Sequence, residues 1–143
     1  MFENDIIEAS ECPCSAPIFL VGKKDSTYRF AIDYRGLNAV TVKDAYPLPN
    51  IKNIFDHLAG SRYYSIIDCA SRYWQIPMNP SDKPKTAFAT PTRINRLFQF
   101  RVCPFGLVNA RATFGRAVEL ILGGLQYSKC LCLLDDVIKI RPH

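Results

Sequence analysis

The chain has 143 residues and a mass of 16.2 kDa, room for one modest domain or a piece of a larger one, since a single core usually serves about 100–200 residues. Apolar residues make up 48%, aromatics 12% and charged residues 22%, which supplies a core and excludes a disordered composition. Eighteen Lys and Arg against thirteen Asp and Glu give a net charge of +5, a modest bias toward phosphate-bearing partners that leaves the activity open.

The six cysteines, Cys12, Cys14, Cys69, Cys103, Cys130 and Cys132, form no C-x₂-C pair, and His57 and His143 are the only imidazoles, so ligand spacing argues against zinc. Met1-Phe2-Glu3-Asn4-Asp5 is acidic where a secretory leader is basic. No apolar run approaches the roughly 18 residues of a membrane span. These features predict an intracellular protein, cytoplasmic or nuclear, with reduced thiols and no membrane association.

In chain order, Ala16–Gly22 is an apolar run of strand length, and Tyr28–Tyr34 alternates bulky and polar side chains with period two. Lys23-Lys24-Asp25-Ser26-Thr27 between them predicts a hairpin with a basic tip. Tyr46-Pro47-Leu48-Pro49-Asn50 is an extended spacer, because a residue before proline is pushed out of the helical region. A helix then follows, with Ile51, Ile54, Phe55 and Leu58 on one apolar face and Gly60 placed to stop it. Tyr63–Asp68 is a strand that delivers the Asp68 carboxylate at its end. Lys85–Thr90 and Leu97–Val102 predict an antiparallel pair joined by the polar 91–96 connection. The longest helix is expected from about Ala110 to about Leu122, with Phe114, Val118, Ile121 and Leu122 buried and Gly123-Gly124 ending it. Cys130–Leu134 and Val137–Ile140 are apolar strands, with Asp135 and Asp136 at the tip between them.

Two adjacent carboxylates between apolar strands repel one another, and a divalent cation turns that repulsion into attraction. An Asp-Asp dipeptide by itself is more often a solvated turn. Asp68 changes the balance, because strands of one antiparallel sheet bring distant carboxylates side by side. Three such groups suit Mg²⁺, which prefers hard oxygen ligands completed by water and substrate phosphates. Paired ions of this kind promote in-line phosphoryl or nucleotidyl transfer. Lys23, Lys24 and Arg29 supply cations for a polyphosphate, although taken alone they describe an ordinary solvated hairpin.

Collinear motifs along nearly the whole chain carry a family resemblance. They include Asn4–Glu8, Phe30–Asn38, Asp44–Pro49, Tyr64–Asp68, Tyr73–Pro77, Lys85–Phe88, Pro104–Ala110 and Leu134–Ile138. In these the chain resembles the fingers and palm of reverse transcriptases, most closely those of gypsy-type LTR retrotransposons. The resemblance implies an α+β fold, with an antiparallel palm sheet, helices on one face and no thumb. It implies one partial domain over residues 1–143, with about 1–60 mainly fingers and about 61–143 mainly palm carrying an inserted part of the fingers.

The implied reaction is RNA-directed DNA synthesis from a deoxynucleoside triphosphate on a primed RNA or DNA template. By the same resemblance Asp68, Asp135 and Asp136 are the catalytic acids, holding two Mg²⁺ (or Mn²⁺) ions with the backbone carbonyl of Cys69. Lys23 and Arg29 grip the triphosphate, Tyr73 is the steric gate against a ribose 2′-OH, and Phe105 lies beside the sugar. Arg35, Lys24, Gly106 and Asn109 belong to the template–primer surface. Read without the resemblance, Tyr73 and Trp74 are equally core aromatics, Phe105 is more often a packing residue than a contact, and Cys69 is a small buried residue.

The chain departs from the family pattern at Arg72 (for Gly), Leu133 (for Tyr), Arg111 (for Pro) and Cys14 (for Trp), and its 92–96 connection is about three residues longer. It also stops soon after the acidic pair, so thumb, RNase H and integrase are expected to be supplied by the remainder of a Pol polyprotein. The chain alone is expected to be weakly active or inactive. A decayed remnant that at most binds nucleic acid, and more remotely a metal-dependent phosphohydrolase, are the competing readings.

Overall fold

The structure, a computed structural model, describes residues 4–24, 26–47, 51–59, 61–90, 96–126, 129–133 and 136–141. Asp25, the 48–50 spacer, Gly60, the 91–95 connection, Leu134 and Asp135 lie outside the described residues. The described elements run in the order β1 (Ile7–Ala9), β2 (Ile18–Gly22), β3 (Tyr28–Ile32), α1 (Arg35–Val40), α2 (Ile51–Leu58), β4 (Tyr63–Asp68), β5 (Phe88–Thr90), β6 (Arg96–Phe100), α3 (Ala110–Ile121), β7 (Cys130–Leu133) and β8 (Asp136–Arg141). The chain forms two compact units, each built from two stretches: Met1–Lys43 with Tyr73–Ala110, and Asp44–Arg72 with Arg111–His143.

In the first unit β1, β6 and β5 make a three-stranded antiparallel sheet, and β2 and β3 a separate hairpin. Its centre is aromatic: the Phe88 ring lies 5.6 Å from Phe30, 5.5 Å from Phe100 and 6.1 Å from Phe98. The expected strand from Lys85 begins only at Phe88, because Lys83–Thr86 is a 3₁₀ turn opened by Pro84. Pro84 has no N–H for a ladder. Buried Thr86 holds this turn, its hydroxyl donating to the Lys83 carbonyl at 2.7 Å and accepting the Phe100 N–H at 2.9 Å. The Tyr34 hydroxyl closes the set by donating to the Thr86 carbonyl at 3.0 Å.

Strand β1 has only three residues and is tied down by charge. Glu8 accepts from Gln99 at 2.9 Å and from Lys83 at 3.2 Å, and pairs with Arg101 at 3.5 Å. The Gln99 hydrogen bond, with help from Lys83 and Arg101, holds the Glu8 carboxyl below its ordinary range.

In the second unit β4, β8 and β7 form an antiparallel sheet. The α+β reading of antiparallel strands with packed helices holds. Ile54 of α2 and Leu131 of β7, both nearly inaccessible, form its core with Leu58 and Ile138. Phe55 departs from the expected apolar face and is 65% exposed, since it lies about 100° around the helix from Ile54. On α3 the buried line runs Ala110, Phe114, Val118 and on to half-buried Leu122, a strict four-residue step, which leaves Ile121 out and 77% exposed. Strand β4 is at the sheet edge and all six of its residues are exposed.

A polar latch joins the Asp44–Tyr46 segment to α3. Arg116 forks onto Asp44 at 2.6 and 2.7 Å and lies 4.9 Å above the Tyr46 ring, whose hydroxyl donates to Glu119. Gly115 leaves room for that ring, because a Cβ there would meet Tyr46 at 3.1 Å.

Candidate functional site

Asp68 ends β4 and Asp136 opens β8, and the register sets them directly opposite one another. Asp136 is therefore the first residue of a strand, also opposite Leu133 of β7, and not part of the turn the sequence pattern suggested. Opposed residues in an antiparallel pair have Cα atoms about 4.5–5.5 Å apart and side chains on one face. Two carboxylates held that way repel, and a hard cation offsets the cost. Asp68 is exposed and Asp136 half-buried, so the pair is open to solvent on one side.

Among the described residues no group of three or more His, Cys, Asp or Glu is assembled for a metal. The donor chemistry of the pair, two carboxylates with open positions left for water and phosphate oxygens, fits Mg²⁺. The Cys69 carbonyl accepts the Arg72 N–H at 3.2 Å. Nearby Cys132 is no competing thiolate: burial, then the neighbouring thiols and the Glu119 and Asp136 carboxylates, pushes its thiol pKa up.

Arg72 replaces a glycine of the pattern without backbone strain. The left-handed residue is Ser71, at φ 50°, and Arg72 begins the 3₁₀ turn Arg72–Gln75.

The remaining predicted residues lie in the first unit. Lys23, Lys24 and Arg29 are exposed on the β2–β3 hairpin, where the Lys23 N–H donates to the Thr27 carbonyl at 2.7 Å. Val21 pairs with Arg29, so alternation assigns Lys23 to the Arg29 face. Tyr73 is buried, and its ring meets Phe105 edge to face at 5.1 Å. Trp74 touches Phe105 from a second direction at 6.0 Å.

Arg35 and Gly106 border a cavity of about 560 Å³ walled by Phe19, Ile32 and Tyr34. Asp33 grips the Arg35 guanidinium through both oxygens, and this contact lowers the Asp33 pKa to about 2. Asn109 is half-buried, its amide donating to the Val42 carbonyl at 2.9 Å.

A comparison with known families decides the classification: the family described as "Reverse transcriptase (RNA-dependent DNA polymerase)" matches residues 21–140. The chain belongs to the reverse transcriptase family. Among similar proteins, the Retrovirus-related Pol polyprotein from transposon opus of Drosophila melanogaster is 37% identical over 96% of this reverse transcriptase chain and 14% of its own length. An RNA-directed DNA polymerase homolog from Oenothera berteroana is 40% identical over 77% of the chain and 75% of its own length. The reverse transcriptase chain thus spans about a seventh of the Pol polyprotein relative. A foamy viral protease-reverse transcriptase solved in complex with an RNA/DNA hybrid superposes on 99% of it with a TM-score of 0.84 at 22% identity, which shows the shared fold. Among the described residues no helix is long and apolar enough to cross a membrane.

Two residues around the cavity escape prediction from sequence. Asp33 reads as a polar position in an alternating strand, yet it orients Arg35. Asn38 reads as one more residue of a motif, yet it bonds to backbone 68 and 70 residues away. The motif flagged the position; no local pattern announces such a partner.

Proposed function

We propose that the chain is the fingers and palm portion of an RNA-directed DNA polymerase from a gypsy-type LTR retrotransposon, working within a longer Pol polyprotein that supplies thumb, RNase H and integrase. The first unit corresponds mainly to fingers and the second to palm. The observation that carries the reading is Asp68 directly opposite Asp136, in a chain of this family. Primer 3′-OH attacks the α-phosphate of a deoxynucleoside triphosphate, and pyrophosphate leaves.

In this scheme Asp68 and Asp136, with Asp135 and the Cys69 carbonyl, would hold the divalent ions. Mg²⁺ or Mn²⁺ bound there would supply the positive charge that favours deprotonation of a primer hydroxyl and offsets the charge of the phosphates. Lys23 and Arg29 bind the triphosphate, and Tyr73 with Phe105 walls the sugar. Arg35, Lys24, Gly106 and Asn109 shape the surface for the template, with Asp33 limiting the freedom of Arg35 and so the entropy lost when it engages a phosphate. Positioning of this kind matters because misplacement of about 1 Å costs about a hundredfold in rate.

Primer extension on RNA and DNA templates with Mg²⁺ tests the reading. Asp68→Asn and Asp136→Asn should each lower incorporation at least about a hundredfold, the order of a lost electrostatic stabiliser in an active site. Equal signal from wild type and both variants would remove the catalytic assignment. A second reading, a nucleic-acid binder without catalysis, is favoured by Leu133 and Arg72 in place of the family's Tyr and Gly. Its signature is salt-dependent binding of primer–template with no extension.

A further inference from the structure

We infer that Asn38 is a positioning residue for sugar selection, acting through the Phe105–Asn109 loop; the inference rests on the polymerase reading above. From α1 the Asn38 amide reaches this loop with both ends. Its Nδ2–H donates to the Gly106 carbonyl at 2.8 Å, and its Oδ1 accepts the Val108 N–H at 2.9 Å. The two bonds straddle Leu107 and fix the amide's orientation, since a flipped amide would set donor against donor and acceptor against acceptor. A third tie, Asn109 to the Val42 carbonyl at 2.9 Å, anchors the far end of the loop just beyond α1.

The backbone being held is an unusual one. Gly106 has φ +96°, a region closed to most side chains, and a Cβ there would touch Tyr34 at 3.5 Å. Phe105 immediately precedes it and is 49% exposed, so its ring is placed by two edge contacts, to Tyr73 and Trp74, and by the loop backbone. Asn38 thereby sets how firmly Phe105 backs the Tyr73 ring. Without it the Gly106 carbonyl and Val108 N–H turn to water, the loop gains freedom, and the wall against a ribose 2′-OH softens.

The experiment compares the full 143-residue chain as wild type, Asn38→Ala, Asn38→Asp and Thr41→Val. Thr41 donates to the Leu37 carbonyl at the end of α1, so its loss weakens the same helix without touching the loop. Two readouts are taken: single-nucleotide extension with a deoxynucleotide and its ribonucleotide counterpart, and binding of the same two triphosphates followed by the fluorescence of Trp74, the chain's one tryptophan.

The Asn38 variants should lose about tenfold of the deoxy-over-ribo preference, the size of one or two neutral hydrogen bonds. The change should appear in KM and binding more than in kcat, and Thr41→Val should keep the wild-type ratio. Should Asn38→Ala fail to fold by circular dichroism, the isosteric Asn38→Asp decides. An unchanged ratio in a folded Asn38 variant, or an equal loss in Thr41→Val, overturns the inference while leaving the polymerase reading intact. A wild type that binds neither triphosphate, as followed by Trp74 fluorescence, overturns the polymerase reading itself.

Discussion

Single side chains in this molecule do most of their work by joining distant stretches of backbone. Tyr34 illustrates this: its buried hydroxyl reaches the Thr86 carbonyl, 52 residues along the chain. Burial pushes the phenol pKa well above its usual value, so it remains a donor at any ordinary pH. Tyr34→Phe should cost about 1–2 kcal/mol in chemical denaturation, because the Thr86 carbonyl is left short of a donor; no measurable loss would show that water replaces the bond. Carboxylates set the acid limit. Asp44, held by the Arg116 fork, and Glu8, held by Gln99, Lys83 and Arg101, both titrate below their ordinary values. Groups with depressed folded-state pKa values add stability that is full above the unfolded value and is lost as pH falls through the folded one. Thermal melting followed from pH 7 downward should therefore be flat to about pH 5 and fall below about pH 4. In Asp44→Asn that acid-side fall should be shallower. The Tyr46 phenol, raised to about 12 chiefly by its bond to Glu119, is silent over that range.

At the level of elements, residue patterns specified type far better than boundary or facing. Strand β4 matches its expected limits, Tyr63–Asp68, because a run of aromatic and β-branched residues has little alternative. By contrast β1, only three residues long, offers too little periodicity to read and exists because Glu8 and Asp5 are bonded to Arg101. Helix α1 was equally illegible, having six residues, none of them buried, and no capping side chain. Phe55 and Ile121 mark the limit of helical-wheel arguments: periodicity finds an apolar side, and packing then chooses the narrower line within it. Ile54→Ala should destabilise the second unit by about 2–5 kcal/mol, as expected for a truncated core aliphatic, whereas Phe55→Ala should change urea stability by less than about 0.5 kcal/mol. On α3 the position of Arg111 is in the first turn, where the family carries proline. Arg111→Pro should raise stability by about 0.4–1 kcal/mol by restricting the unfolded chain; a loss there would mean that the Arg111 N–H or side chain has a structural role.

For the whole molecule, charge and chain path matter more than any one contact. The carboxylate pair was legible as chemistry from Asp68 and the Asp-Asp dipeptide, but the sheet was needed to set Asp68 opposite Asp136. If Lys24 and Arg35 meet phosphates of the template–primer, about two counterions are displaced from duplex. Affinity for a primer–template should then fall about tenfold between about 50 and about 200 mM salt. Fluorescence anisotropy across that range measures the slope, and a flat response would mean that these cations do not face the duplex. The two-stretch construction of each unit also has a consequence in time. Strand β4 leaves the ribosome before its hydrogen-bonding partner β8, which begins 68 residues after Asp68. At about 5–20 residues per second of synthesis, that interval lasts roughly 3–14 s. Throughout it the backbone N–H and C=O groups of Tyr63–Asp68 lack the partners that β8 supplies, an open strand edge that is a target for holding chaperones and, in their absence, a seed for aggregation during translation.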